Sequence, residues 1–250
     1  MIKMDPKAAL KIAIQAASAA GKFLLDNSKS IIEVDKEEGR DIKLKADRNS
    51  ERIILDFLKK GSDFPILSEE KGAIGTDGAE FKWIVDPLDG SLNYMRGIPL
   101  ACVSIGLWKD TEPILGVVYD FNRSELFSGI VGSGAWLNDR KICDSTIDKK
   151  EKAVLCTGFP VSTDFSTGSL TDYIGRIQEY KKIRLFGSAA LSLAYVACGR
   201  ADVYLENGIR IWDVAAGLAL VKSAGGSVRY SLQAGNNTLK VQASNRHFKC

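Results

Sequence analysis

Asp86 and Asp89 have the types and spacing best suited to chemistry in this chain. They lie in Trp83-Ile84-Val85-Asp86-Pro87-Leu88-Asp89-Gly90-Ser91, where an apolar run leads straight into a carboxylate. Such a run predicts a buried strand, and a charge is seldom left in the middle of one, so Asp86 is expected at the strand's end. Pro87 has no N–H for a sheet ladder and is expected to stop the strand. Gly90 permits a sharp turn or a close approach to a ligand. Two carboxylates leaving a strand together in a tight turn repel each other and raise one pKa unless a cation lies between them. Oxygen donors of this kind suit a hard ion such as Mg²⁺, and Ser91 adds a hydroxyl beside them. The alternative reading is a capped strand end closed by an Asp-Gly turn.

Other acids repeat the pattern. Pro65-Ile66-Leu67 reads as a short strand that delivers Ser68-Glu69-Glu70 at its end. Ile211-Trp212-Asp213 sets an acid directly before the small-residue helix Val214-Ala215-Ala216-Gly217, where a plain N-cap is the competing reading. Gly187-Ser188-Ala189 opens another helix, and small residues there expose backbone N–H groups to an anion or supply an ordinary serine cap. The only histidine is His247. A single histidine near the end of the chain argues against Ser-His-Asp, Cys-His and H-E-x-x-H machinery, and hydrolysis is expected to run on carboxylates and metal.

The rest of the chain must hold these groups in place. Its 250 residues, 45% apolar and 26% charged, suffice for one large domain or two smaller ones with a real core. A net charge of +3 gives no strong field for nucleic acid or an anionic membrane. Five cysteines without a C-x-x-C pair suggest neither a disulfide framework nor a zinc site. No apolar run approaches a membrane span and the start lacks a signal-peptide core, so the protein is expected in the cytoplasm.

Asp5-Pro6 predicts the start of a helix running to about Asn27. A charged hairpin follows, with strands 31–34 and 42–44 around Glu37-Glu38-Gly39-Arg40. A second helix is expected over 47–60, with Gly61 just past its end. Gly72 to Gly78 reads as a surface connection or a ligand lid. Strands are expected over 98–108, 113–119, 126–130 and 135–137, with Gly129 to Gly134 as a hairpin turn. The polar stretch 144–152 divides the chain into an α+β part, 1–145, carrying most of the acids, and an α/β part, 146–250. In the second part strands 153–157, 183–186 and 201–206 alternate with helices 170–180, 189–198 and 214–224.

Taken together, Ser68-Glu69-Glu70, Asp86-Pro87-Leu88-Asp89-Gly90-Ser91 and Trp212-Asp213-Val214-Ala215-Ala216-Gly217 resemble the inositol monophosphatase family. This belongs to a larger group of Mg²⁺-dependent, lithium-sensitive phosphatases that includes fructose-1,6-bisphosphatase. The resemblance runs over nearly the whole chain, with the motifs in the family's order. It implies a layered α-β-α-β-α sandwich of the sugar phosphatase type, two or three Mg²⁺ ions, a homodimer and a small phosphate ester as substrate. It implies metal ligation by Glu69, Asp86, the Leu88 carbonyl, Asp89 and Asp213. Glu69, Asp47 and Ser91 would orient and activate the attacking water, Ser91 standing where the family has threonine. Asp89, Gly90, Ser91, Gly187, Ser188, Ala189, Asp213 and Glu206 would contact substrate, Glu206 through polyol hydroxyls.

The family's members leave several activities open. Besides inositol monophosphatase these are fructose-1,6-bisphosphatase, alone or as a dual activity, and a 3′-phosphoadenosine 5′-phosphate phosphatase. A regulatory binding protein with a secondary phosphatase site is a further reading. The loop between Glu69 and Asp86 is short for the family, which bears on the third metal and on substrate preference.

Overall fold

The computed structural model describes residues 4–28, 34–38, 41–76, 78–160, 163–233 and 237–248. In chain order the elements are α1 Pro6–Asp26, β1 Val34–Glu38, β2 Asp41–Leu44, α2 Lys45–Gly61, β3 Ile66–Ser68, β4 Gly72–Ile74, β5 Phe81–Asp89, α3 Ser91–Met95, β6 Cys102–Lys109, β7 Glu112–Asp120, β8 Glu125–Ile130, β9 Gly134–Leu137 and β10 Arg140–Ile142. They continue with β11 Val154–Thr157, α4 Thr167–Ile177, β12 Lys182–Arg184, α5 Ala189–Ala197, β13 Val203–Arg210, α6 Ile211–Ala224, β14 Ser227–Gln233 and β15 Thr238–Ser244. The expected strand residues 31–33 and turn residues 39–40 lie outside the described residues.

These elements stack in five layers: α1 with α2, an eight-stranded sheet, α5 with α6, a five-stranded sheet, and the exposed helix α4. The large sheet runs β10-β9-β8-β7-β6-β5-β3-β4 and the small one β12-β11-β13-β15-β14. The large sheet is antiparallel except where β3 lies parallel to β5. One core, including Ala13, Ala17, Leu24, Ile54, Trp83 and Val85, fills the space between α1, α2 and that sheet. The other, including Ile84, Cys102, Val118, Leu193, Val214 and Tyr204, joins its opposite face to α5, α6 and the small sheet. The alternation of Trp83 and Val85 against Ile84 is the period-two pattern of a strand buried on both faces.

The helix starts follow from their caps. Asp5 accepts from the Lys7 N–H at 3.0 Å with Pro6 behind it. By length and composition α1 is apolar enough to cross a membrane. Here Ala9, Ala13, Ala16, Ala17, Ala20 and Leu24 are instead buried in the core. Gly61, expected past the end of α2, is its last residue, and a Cβ there would come within 2.5 Å of Ile12 in α1. That glycine serves helix–helix approach.

Three expectations change. Pro87 does not stop β5, which runs on to Asp89 across a bulge. Gly72 to Ile74 is a strand, β4, paired antiparallel with β3. The strand expected from Ile98 begins only at Cys102, because Pro99 has no N–H to give a ladder. Four elements, β10, α3, β14 and β15, go beyond those expected from the sequence.

Helix α6 lies unusually close to the large sheet. Gly106, Gly116 and Gly129 are direct neighbours across β6, β7 and β8. Added Cβ atoms there would meet the Ala215 backbone at 3.1 Å, the Ala216 carbonyl oxygen at 2.2 Å and the Ser223 Cβ at 2.9 Å. These glycines form a furrow for the small-residue face of α6, and the Trp108 indole N–H donates to the Ala215 carbonyl at 3.2 Å. Gly116→Ala therefore forces α6 off the sheet. Overpacking of this kind costs about 1–3 kcal/mol, to be read from the urea midpoint. An unchanged midpoint would show that α6 is not seated by the furrow.

Candidate active site

The parallel pairing of β3 with β5 sets Ser68 opposite Val85. Glu69 and Asp86 therefore emerge side by side, and the Glu69 N–H donates to the Val85 carbonyl at 3.1 Å. On β5, Asp86 pairs with Ser104 and Asp89 with Cys102. Two residues of β5 stand between the acids and only Val103 between their partners, so the bulge puts Asp86 and Asp89 on one face of the sheet. That face looks toward α5 and α6.

Three acids, Asp89, Asp213 and Asp47, accept from backbone N–H groups at the start of a helix. Asp89 Oδ2 accepts from the Ser188 hydroxyl at 2.5 Å and from the Ala190 N–H at 2.8 Å, at the N-terminus of α5. Ser188 also caps that helix by accepting from the Leu191 N–H at 3.2 Å, so the cap and the contact with Asp89 coexist. Asp213 is the third residue of α6 and reaches back to the Arg210 N–H; it is thus not the N-cap. Asp47 does the same at the start of α2, accepting from the Leu44 N–H at 2.8 Å. Its other oxygen lies 2.7 Å from Ser91 Oγ, which is also 2.9 Å from the Leu88 carbonyl oxygen. Gly90 is the cap of α3 at φ 88. A Cβ there would strike the Leu100 carbonyl oxygen at 2.7 Å.

The electrostatics show how crowded this corner is. Burial first, then Glu69, Asp89 and Asp213, push the Asp86 carboxyl well above its ordinary range. Burial, then Glu69, Asp89 and Glu206, do the same to Asp213, which keeps some solvent contact as a residue but whose carboxyl is densely surrounded. Burial lifts Asp89 to about 6 against the opposing bonds from Ser188, Ala190 and Ala189. Burial lifts Asp47 to about 7, opposed by its bonds from Ser91 and Leu44. Glu206, on β13, is raised to about 7 by burial, against a 2.7 Å bond from the Tyr204 hydroxyl. Repulsion reaches it from Asp89 and in turn reaches Asp213. The structure thus gathers Glu69, Asp86, Asp89, Asp213 and Glu206 into one electrostatic neighbourhood, with Leu88, Ser91 and Asp47 beside Asp86 and with Gly187, Ser188 and Ala189 against Asp89.

This donor set fits Mg²⁺ in its chemistry: the carboxylates and the Leu88 carbonyl offer oxygen, the nearby Cys102 thiol is kept protonated by burial as it faces Asp89, and a cluster of raised carboxyls is relieved by a cation. Among the described residues no three Asp, Glu, His or Cys side chains stand already converged as a metal cage. Mg²⁺ keeps several waters and takes few protein ligands at once, so a closed cage is not what it requires.

Supporting residues were not visible as such in the sequence. Ser50 Oγ donates to the Pro87 carbonyl at 2.7 Å and so ties the bulge to α2. Buried Glu51 accepts from Ser68 Oγ at 2.6 Å and from the Lys71 N–H at 3.0 Å, holding the turn that carries Glu69 and Glu70. Their one local mark is spacing: Ser50 and Glu51 lie three and four residues after Asp47 on the buried face of α2.

Comparison with known proteins shows the family. A family model described as "Inositol monophosphatase family" matches residues 5–244. The chain is 42% identical over 226 residues to the Nus factor SuhB of Xylella fastidiosa, covering 89% of this chain and 82% of that protein. It is 41% identical over 225 residues to the inositol-1-monophosphatase of Synechocystis, covering 88% and 77%. Among solved structures, the inositol monophosphatase from Anabaena (Nostoc) superposes with a TM-score of 0.83 at 35% identity, covering 96% of this chain and 92% of that one. The layered fold, the motif order and these matches agree: the chain belongs to the inositol monophosphatase family of phosphoric monoester hydrolases.

Proposed function

We propose that this protein is a Mg²⁺-dependent phosphomonoesterase that hydrolyses inositol monophosphate or a related sugar phosphate, with water as the nucleophile. The observation that carries this reading is geometric: the paired ends of β3 and β5 bring out Glu69 beside Asp86, the bulge sets Asp89 on the same face, and Asp213 stands in the first turn of α6, so that Glu69, Asp89 and Asp213 all oppose ionisation of Asp86 after burial. Residues 1–145 supply most of these acids and residues 146–250 complete the site. Glu69, Asp86, the Leu88 carbonyl, Asp89 and Asp213 would hold two or three Mg²⁺ ions. Bound Mg²⁺ supplies charge neutralisation for the phosphoryl group and a water acidic enough to attack near neutral pH.

The chain's own groups do the rest. Asp47, lifted to about 7, is matched to proton acceptance near neutral pH. Ser91 Oγ, 2.7 Å from it, is the hydroxyl through which the water's proton passes. Ser91 has one proton for two acceptors. Giving it to Asp47 leaves the Leu88 carbonyl open to a cation. Glu69, at the neighbouring end of β3, orients the water. Backbone N–H groups at Gly90 and Ser91, and at the start of α5, hold phosphate oxygens. Glu206 accepts from substrate hydroxyls: Tyr204 holds one of its oxygens at 2.7 Å. Gly158 leaves it room, since a Cβ there would come within 2.8 Å of Oε1. Lithium sensitivity, a homodimeric state and a cytoplasmic location complete the reading, on the family resemblance.

A second reading has its own support: the relative at 42% identity is named a Nus factor, and on that reading the protein is a regulatory binding protein with the phosphatase as a further property. The acid set argues that chemistry is retained, because an unused cluster of buried like charges is costly to hold together.

The direct test is phosphate release from inositol 1-phosphate. Turnover is expected with Mg²⁺ and none after dialysis into EDTA; full turnover in excess EDTA would contradict the metal mechanism. Asp89→Asn removes one charge where transition-state charge develops, and kcat should fall by a factor on the order of 10². Folding should hold, because the amide oxygen still accepts from Ser188 and Ala190. Near-normal turnover by the folded variant would reduce Asp89 to a helix-docking residue.

A further inference from the structure

Strand β6 sets a donor side chain against each of the two aspartates of β5. Val103, Ile105 and Leu107 enter the core under α1 and α2, while Cys102 enters the core under α5 and α6. Ser104 shares the face of Cys102, two residues along the strand. Cys102 stands directly opposite Asp89, and Ser104 directly opposite Asp86. The first pair is joined, the Cys102 thiol donating to Asp89 Oδ2 at 3.7 Å. The second pair is not. Ser104 is fully buried, and its Oγ has no hydrogen-bond partner among the described residues.

An unpaired buried hydroxyl is uncommon and calls for a cause. Packing supplies none that needs an oxygen atom. On its other side Ser104 pairs with Val118, and the next residue on its face is Gly106, against the α6 backbone. Alanine would fill the same space without a polar group. Of its two cross-strand neighbours only Asp86 offers an acceptor, and side chains so paired have Cβ atoms about 5 Å apart. Rotation between staggered χ1 positions is enough to turn the hydroxyl toward or away from such a neighbour. Asp86 in turn has few donors. Among the described residues it accepts from the Leu88 N–H alone, at 3.0 Å. Asp89 accepts from Ser188, Ala190 and Cys102.

We propose that Ser104 is a positioning residue of the Mg²⁺ site, its hydroxyl donating to the Asp86 carboxylate when Asp86 ligates the ions and so fixing the oxygens that face them. The inference rests on the reading of this cleft as a Mg²⁺-dependent phosphatase site. A ligating carboxylate takes its remaining hydrogen bonds from neighbouring donors, and a bond to a charged acceptor is stronger than one between neutral groups. The hydroxyl therefore adds little to the fold before the ion binds and strengthens binding once it does. Ser104 itself touches neither ion nor substrate; it acts through Asp86.

The test uses the full chain, freed of divalent cations, with Mg²⁺ as the probe. Ser104→Ala keeps the space and removes only the hydroxyl. Calorimetric titration near neutral pH should show Mg²⁺ affinity lower on the order of ten-fold. Tm in EDTA should stay at or above the wild-type value, because an unpaired hydroxyl has left the core. Ser104→Cys, a close-sized side chain with a weaker donor, should bind Mg²⁺ with an affinity between the two. Unchanged Mg²⁺ affinity in Ser104→Ala would overturn the proposal and leave Ser104 as a small residue beside the furrow. A Tm in EDTA that drops together with the affinity would overturn it too, since general loosening of the fold produces that pattern. The wild-type protein separates the two readings. If it neither binds Mg²⁺ nor releases phosphate from inositol 1-phosphate, the proposed function fails. If it does both and Ser104→Ala binds Mg²⁺ normally, only the role of Ser104 fails.

Discussion

Asp86 and Asp89 are three residues apart on one strand, and a regular strand sends residues at odd spacing to opposite faces. The bulge at Pro87-Leu88 removes that conflict. It adds one residue to β5 relative to β6, so Asp86 and Asp89 pair with Ser104 and Cys102 and share a face. Everything else at the site is arranged about this corrected parity. The parallel strand β3 brings Glu69 out beside Asp86, Ser50 ties the bulge to α2, and the glycine furrow under α6 lets Asp213 approach from above. A regular β5 would send Asp89 into the core around α1 and α2, and its bonds to α5 would be lost.

Gathering acids has an energetic consequence. Repulsion and burial both oppose ionisation, and the protein offsets part of that cost with helix N-termini. Asp47, Asp89 and Asp213 each accept from backbone N–H groups at the start of α2, α5 and α6, where the partial positive charge of the helix end favours an anion. The compensation is incomplete, since the pKa of each remains raised. What is left over is affinity for a cation.

Local signals mark the start of α1 and the strands that deliver Glu69 and Asp86. Asp5-Pro6 announces α1, and apolar runs ending in Glu69 and Asp86 announce β3 and β5. The bulge was not legible, because a proline after an apolar run reads as a stop and the partner strand that would reveal an extra residue lies far along the chain. The edge strand β4 looked like a loop: its Gly72-Ala73-Ile74 has little strand character, and pairing with β3 makes it one. Gly106, Gly116 and Gly129 are unremarkable one at a time and acquire their reason only from α6, about a hundred residues away. Ser50 and Glu51 were silent for the same cause. Their partners are the Pro87 carbonyl and Ser68, and no local pattern points to contacts at such range.

The central claim is that this acid cluster is held in the fold at a cost that Mg²⁺ relieves, and the melting temperature measures it directly. Asp47, Asp89 and Glu206 have folded-state values of about 7, 6 and 7, and burial with neighbouring carboxylates raises Asp86 and Asp213 as well. Unfolded, such groups titrate near pH 4. Between those limits the folded state binds more protons than the unfolded one, so stability falls as pH rises through the window from about 4 to about 7. In EDTA, Tm should be lower at pH 8 than at pH 5. Millimolar Mg²⁺ should raise Tm at pH 8 and do little at pH 5, where protons compete for the same oxygens. A Tm that is flat across this range in EDTA and unmoved by Mg²⁺ at pH 8 would contradict the account.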